Sequence, residues 1–107
     1  MNRKKEPRKD YAVEVHALKG IRKGALIKEE LWREDGRVVS YNLAYINLKL
    51  SRVDHGRILG FDNSHGYHHR HFRGNVEAVP ESSYEAVYSR FIAELHALWK
   101  EEDAENG

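Results

Sequence analysis

The chain contains no cysteine. That excludes disulfides and thiolate chemistry, and it suits a reducing compartment. The sequence also lacks an excess of either charge. Its 18 Lys and Arg stand against 17 Asp and Glu, a formal net charge of +1, so no global field draws it onto nucleic acid. No run approaches the ~20 apolar residues of a membrane span, and no apolar stretch follows the basic N-terminus to make a secretory signal. A soluble cytoplasmic protein with no membrane partner is expected.

What is present fits one small domain. The 107 residues are 40% hydrophobic and 33% charged, enough for a single core and too few for two. Residues 1–9, "MNRKKEPRK", read as a disordered basic arm, residues 10–102 as one domain and residues 103–107 as a disordered acidic tail. In "YAVEVHAL", Val13, Val15 and Ala17 alternate with Glu14 and His16, predicting a half-buried strand. "ALIKEELWRE" suits a helix or a strand. A strand is favoured because Asp35-Gly36 then forms the tight turn of a hairpin. "VVSYNLAYINLKL" is a strand with Val39, Tyr41, Leu43 and Tyr45 on one face and Ser40, Asn42 and Ala44 on the other. After the turn at "VDHG", "RILGFDN" is a further strand, with Leu59 and Phe61 on one side.

The C-terminal element is helical. Ser82 to Glu85 has the spacing of a capping box, just after Pro80. Tyr84, Val87, Tyr88, Phe91, Ile92, Leu95, Leu98 and Trp99 then recur at helical spacing, predicting a helix over about 82–101. The expected fold is α+β: an antiparallel meander of four or five strands with this helix packed on one face. The second face is left free for function or a partner. Trp32 and Trp99 are expected in the core or an interface.

One segment departs from these patterns. "DNSHGYHHRH", residues 62–71, holds four of the seven histidines, with Asp62 and Asn63 ahead of them and Arg70 and Arg73 among or after them. Alternation on a strand would send Tyr67, His69 and His71 to one face and His68, Arg70 and Phe72 to the other. His65 and Asp62, in the preceding turn, could fold over the His69/His71 face. Imidazoles two apart could ligate a divalent metal, with His69 and His71 as adjacent ligands. They could instead act as an acid and base pair, since their ordinary pKa is ~6.5. Arg70, Arg73 and Asn63 would then hold a phosphate substrate. Simple anion binding is a third use, and a structural ion-pair network a fourth. Proton chemistry is ranked above metal binding because the spacing matches no established ligand motif, so no cofactor is required and a divalent metal stays open. His16, His55 and His96 are isolated and are read as surface residues.

The run Phe61, Asp62, Asn63, His65, Gly66, His69 and His71 resembles a pattern of the TumE-type toxins of prokaryotic toxin–antitoxin pairs. In that pattern an aromatic residue leads into Asp-Asn-x-His-Gly-x-x-His-x-His. The specific match covers about a fifth of the chain, and the order of strands, motif and amphipathic helix is similar more loosely. Gly60-Phe61 stands where arginine and an aromatic are usual, and His68 is extra. The resemblance implies a toxin neutralised by a small helix-turn-helix antitoxin encoded beside it. Joined to the residue chemistry, it leads to an RNA-damaging toxin using His65, His69 and His71, with Asp62 orienting an imidazole. The rival expectation is a non-catalytic module that binds a metal or a protein partner. A homodimer is left open.

Overall fold

The computed structural model describes residues 6–106. Residues 1–5 of the expected basic arm, and Gly107, lie outside that range. Six strands form one antiparallel sheet in sequence order: β1 (Lys9–Ala17), β2 (Leu26–Glu34), β3 (Arg37–Ile46), β4 (Arg57–Asp62), β5 (His69–Phe72) and β6 (Asn75–Ala78). A single helix, α1 (Tyr84–Asn106), follows. The α+β meander is as expected, with one strand more. The four residues of β6 are too few to carry an alternation signal, and they pair with β5 across a turn at Arg73-Gly74.

Local chemistry accounts for the connections. Asp35 and Gly36 both take positive φ, 52° and 79°, giving the β2–β3 hairpin the twist its strands need. Helix α1 starts one residue later than its capping pattern suggests. Ser83 is the cap, its Oγ accepting from Ala86 N–H at 3.1 Å, so the Ser82–Glu85 box does not form.

The helix lies on the face carrying Tyr41, Leu43, Tyr45, Leu59 and Phe61, all buried with Val87, Phe91, Leu95 and Leu98. Phe61 and Phe91 meet edge to face, with centroids 6.1 Å apart. The residues expected to form an acidic tail instead continue the helix to Asn106. Arg22 holds them down by donating to the Trp99 carbonyl at 2.9 Å and to Asp103 at 2.8 Å. Buried Glu102 accepts from the Tyr45 hydroxyl at 3.0 Å. At the other end, the Arg8 backbone is tied to Asp35, and β1 begins within the expected arm.

Two departures from simple alternation matter for function. Trp32 pairs with Ser40 but Arg33 pairs with Val38, so Val39 is an extra residue in β3. Val39 is consequently 47% exposed, and Val38 takes its place against the core. In β4, Tyr45 pairs with Leu59 but Ile46 pairs with Arg57, which makes Ile58 the extra residue. Contrary to the half-buried expectation, β1 is exposed along nearly its whole length, because α1 sits over β3 and β4 and does not reach it. No helix among the described residues is long and apolar enough to cross a membrane.

Candidate functional site

The free face of the sheet carries the cluster. Asn42 pairs with Asp62, and Asp62 with His69; Ala44 pairs with Gly60, and Gly60 with His71. These residues therefore form adjacent rows on the side away from α1. Ala44 and Gly60 leave a low floor, and Arg57 lies across it. A Cβ added to Gly60 would stand 2.7 Å from Arg57 Cδ. Had alternation run unbroken, Arg57 would share the helix side with Leu59 and Phe61. The bulge at Ile58 turns it onto the free face.

Asp62 is the hub. Its Oδ1 reaches His69 Nε2 at 2.5 Å and its Oδ2 reaches His71 Nε2 at 2.8 Å. Oδ1 also accepts from the Ser64 N–H at 3.1 Å and hydroxyl at 2.9 Å, which folds the turn that follows β4. Arg57 is gripped by Asp54 at 2.7 Å, stands 3.7 Å from Asp62, and donates to Nδ1 of His71 at 2.9 Å.

These contacts dictate a tautomer. A guanidinium has only donors, so His71 Nδ1 must be the bare nitrogen and Nε2–H must point at Asp62. His71 is therefore neutral. Burial pushes its pKa down, the Arg57 charge adds to that, and Asp62 opposes both. His69 differs. Its Nδ1 donates to the Tyr67 carbonyl at 3.1 Å while Nε2 faces a carboxylate oxygen. Protons on both nitrogens satisfy that pattern. His69 is only 3% exposed, walled by the Tyr67 ring at 4.9 Å, by His71 at 4.9 Å and by His65 at 6.4 Å. His65 sits at φ 66° in the turn, exposed, as the outermost imidazole of the group.

The four residues expected to converge, Asp62, His65, His69 and His71, are thus neighbours. The three expected to hold substrate do not join them. Arg70 projects to the helix side, bound by Glu94 at 2.6 Å and Glu77 at 3.1 Å. Arg73 lies over the Phe72 ring, also on the helix side. Asn63 spends its amide on β3, accepting from Tyr41 N–H at 3.1 Å and donating to the Val39 carbonyl at 3.0 Å. It extends the β3–β4 ladder by one rung. His68 turns to the helix side and hydrogen-bonds the Tyr41 hydroxyl at 2.6 Å, beside Tyr84, whose pKa burial pushes up to about 12.

Two clefts differ in their relation to the cluster. One of about 250 Å³ opens directly beside it, lined by Trp32, Ser40, Tyr41, Asn42, Asp62 and Ser64. Trp32, 38% exposed, stands on its rim with Tyr11 tilted against it at 4.9 Å. Of the core or interface expected for Trp32, the core does not take it, because α1 packs on the other face of the sheet. The larger cleft, about 400 Å³, lies at the start of α1 around Arg37, His68 and Ser83 and holds none of the Asp62 cluster.

The motif from Phe61 to His71 is thus a folded unit with Asp62 at its centre. A family model described as Toxin TumE matches residues 21–100. The chain belongs to the TumE toxin family. The match takes in β2 to β6 and most of α1, including every residue of the cluster, so this TumE-family protein is a toxin component. No curated protein and no solved structure matches the chain.

Proposed function

We propose that this toxin cleaves RNA by metal-independent proton transfer at the Asp62–His71 pair. The observation that carries the reading is the pair's polarity. Asp62 receives Nε2–H of a neutral imidazole whose other nitrogen accepts from the Arg57 guanidinium. A phosphodiester in the trough would draw the Arg57 guanidinium to its own oxygens, where bidentate contacts are strong. Nδ1 of His71 is then free to take the proton of a ribose 2′-hydroxyl, and Asp62 stabilises the imidazolium that forms. The 2′-oxygen attacks phosphorus, the P–O5′ bond breaks, and protonated His65 gives its proton to the departing 5′-oxygen. The products are a 2′,3′-cyclic phosphate and a 5′-hydroxyl, and no co-reactant is consumed. His69 acts through Asp62 as a positioning residue. The neighbouring base lies in the cleft against Trp32.

A second reading has its own support. The ligand atoms of Asp62, His69 and His71 all lie within 4.8 Å of one another, a spacing that could hold a divalent cation. It ranks lower because a metal on His71 Nε2 needs the proton moved to Nδ1, where Arg57 already donates. Toxins of this kind imply an antitoxin partner, and a helix-turn-helix protein encoded next to the gene is the proposed one.

The test is induced expression in a bacterium without the neighbouring gene, with soluble protein checked in parallel. Wild type should abolish colony formation, and Asp62→Asn and His71→Ala should restore it. Purified protein should cut an RNA oligonucleotide in the presence of chelator, leave cyclic-phosphate ends, and spare the deoxy analogue. Equal toxicity from wild type and both variants would remove this cluster from the mechanism. Chelator-sensitive cleavage would favour the metal reading.

A further inference from the structure

The nine residues of β1 form one edge of the sheet, and all but Ala12 are exposed. The opposite edge, β6, has four residues. Long edge strands invite pairing unless proline, charge or a bulge interrupts them. β1 pairs with β2 in unbroken register, contains no proline, and presents Tyr11, Val13 and Val15 at 51%, 47% and 57% exposure.

The phase of its free hydrogen bonds follows from its ends. The Arg8 carbonyl accepts from Asp35 N–H, and Leu18 N–H donates to the Ala25 carbonyl. Even-numbered residues therefore turn their backbone groups inward, and Lys9, Tyr11, Val13, Val15 and Ala17 turn theirs outward. We propose that two copies of the chain pair through these outward groups, β1 against β1, antiparallel about a two-fold axis at Val13, which joins two six-stranded sheets into one.

The sequence of β1 is complementary to itself in that register. Val13 is the middle residue of Lys9–Ala17, so every outward N–H and C=O finds a partner. On the free face, Val13 meets Val13 of the second copy, and Tyr11 meets Val15 of the second copy, an aromatic beside a β-branched residue. On the helix side, Asp10 meets His16 of the second copy and Glu14 meets Ala12 of the second copy. The two Glu14 carboxylates fall on a diagonal, and each is held by His16 of its own strand at 3.3 Å. Moving the axis to Glu14 would set like carboxylates directly opposite and would point inward-bonded residues at each other. Both Asp62 clusters then lie on one continuous face, seven strand steps apart, roughly 34 Å at ~4.8 Å per strand.

The full-length chain, in light-scattering chromatography at tens of micromolar, should run as a dimer, twice the 12.5 kDa of one chain. Val13→Pro removes only an outward N–H and leaves the β1–β2 ladder its donors, so it should give a folded monomer. Because the chain has no cysteine, Val13→Cys offers a second measurement. Directly opposed residues have Cα atoms about 5.5 Å apart, within disulfide range, so mild oxidation should link two chains through this one position. Val15→Cys should link poorly, since the two Val15 residues would stand about 14 Å apart along the strands. A monomeric wild type overturns the proposal. So does a dimer in which Val15→Cys links as readily as Val13→Cys, which would mean another surface or register.

Discussion

Arg57 Nη2 and His71 Nδ1 stand 2.9 Å apart, a cation donating to an imidazole that must be neutral to accept. A positive charge beside a histidine is tolerated here because Asp62 and Asp54 flank the guanidinium at 3.7 and 2.7 Å. The arrangement keeps Nδ1 of His71 unprotonated and covered.

The first consequence is a pH dependence. Burial and Arg57 lower the folded-state pKa of His71, whereas the unfolded chain keeps an ordinary value near ~6.5. The unfolded state therefore binds protons first, and the stability from neutral His71 is present above pH ~6.5 and lost as pH falls from there toward the folded pKa. Denaturant midpoints measured from pH 7.5 to 5.5 should fall more steeply in wild type than in His71→Gln. Parallel curves would mean that the His71 pKa is the same in the folded and unfolded chain.

Arg57→Gln should raise the His71 pKa, since it removes one of the influences that lower it, burial being the largest. Histidine NMR titration reads this directly. The same substitution should cost about 10²–10³-fold in toxin activity if Arg57 clamps the phosphate. Gly60→Ala should also displace Arg57, and it should lower the melting temperature, because the new methyl meets both the Arg57 stem at 2.7 Å and the Leu43 carbonyl at 2.9 Å. An unchanged His71 titration in Arg57→Gln would show that the contact does not persist in solution.

Asn63→Ala should weaken folding and leave the chemistry intact. The part-buried Tyr41 N–H and the exposed Val39 carbonyl of β3 lose their partner, and leaving the N–H unpaired should cost roughly 1–3 kcal/mol. Cleavage per folded molecule should match wild type. A loss of rate at unchanged stability would return Asn63 to the substrate site.

Phe91→Ala tests the core. The side chain is fully buried against Phe61, and its removal should cost roughly 3–5 kcal/mol, a large share of a small domain's stability. The melting temperature gives the answer, and an unchanged value would mean that α1 docks elsewhere.

Trp32→Ala, by contrast, should leave the melting temperature nearly unchanged and weaken binding of a 2′-O-methyl RNA oligonucleotide. Base stacking on an aromatic side chain is worth about 1–3 kcal/mol, which corresponds to roughly 5–150-fold in Kd. Equal affinities would remove the Trp32 cleft from the substrate path.

The meander, the hairpin at Asp35-Gly36, the apolar stripe of α1 and the grouping of Asp62 with His65, His69 and His71 were all legible in the sequence. Each rests on local rules: alternation at period two, helical spacing, positive φ at a turn, and proximity along the chain. Even the division of β5, with His69 and His71 on one face and Arg70 and Phe72 on the other, follows from alternation alone. β6 escaped notice because four residues carry too little pattern, and α1 outran its apolar stripe because Arg22, far away in the chain, anchors its end.

Tertiary structure decided which charges serve the cluster. Arg70 is nearest in sequence to the histidines, yet the pleat sends it to Glu94 on the helix side. Arg57, 14 positions from His71, is turned onto their face by one extra residue, Ile58, paired against nothing in β3. A bulge inverts the parity of every side chain beyond it, and whether one forms depends on how the core accepts buried Ile58. Alternation within a strand cannot reveal that. The same limit hid Trp32, since only the position of α1 over β3 and β4 determines which apolar side chains of β1 and β2 stay uncovered.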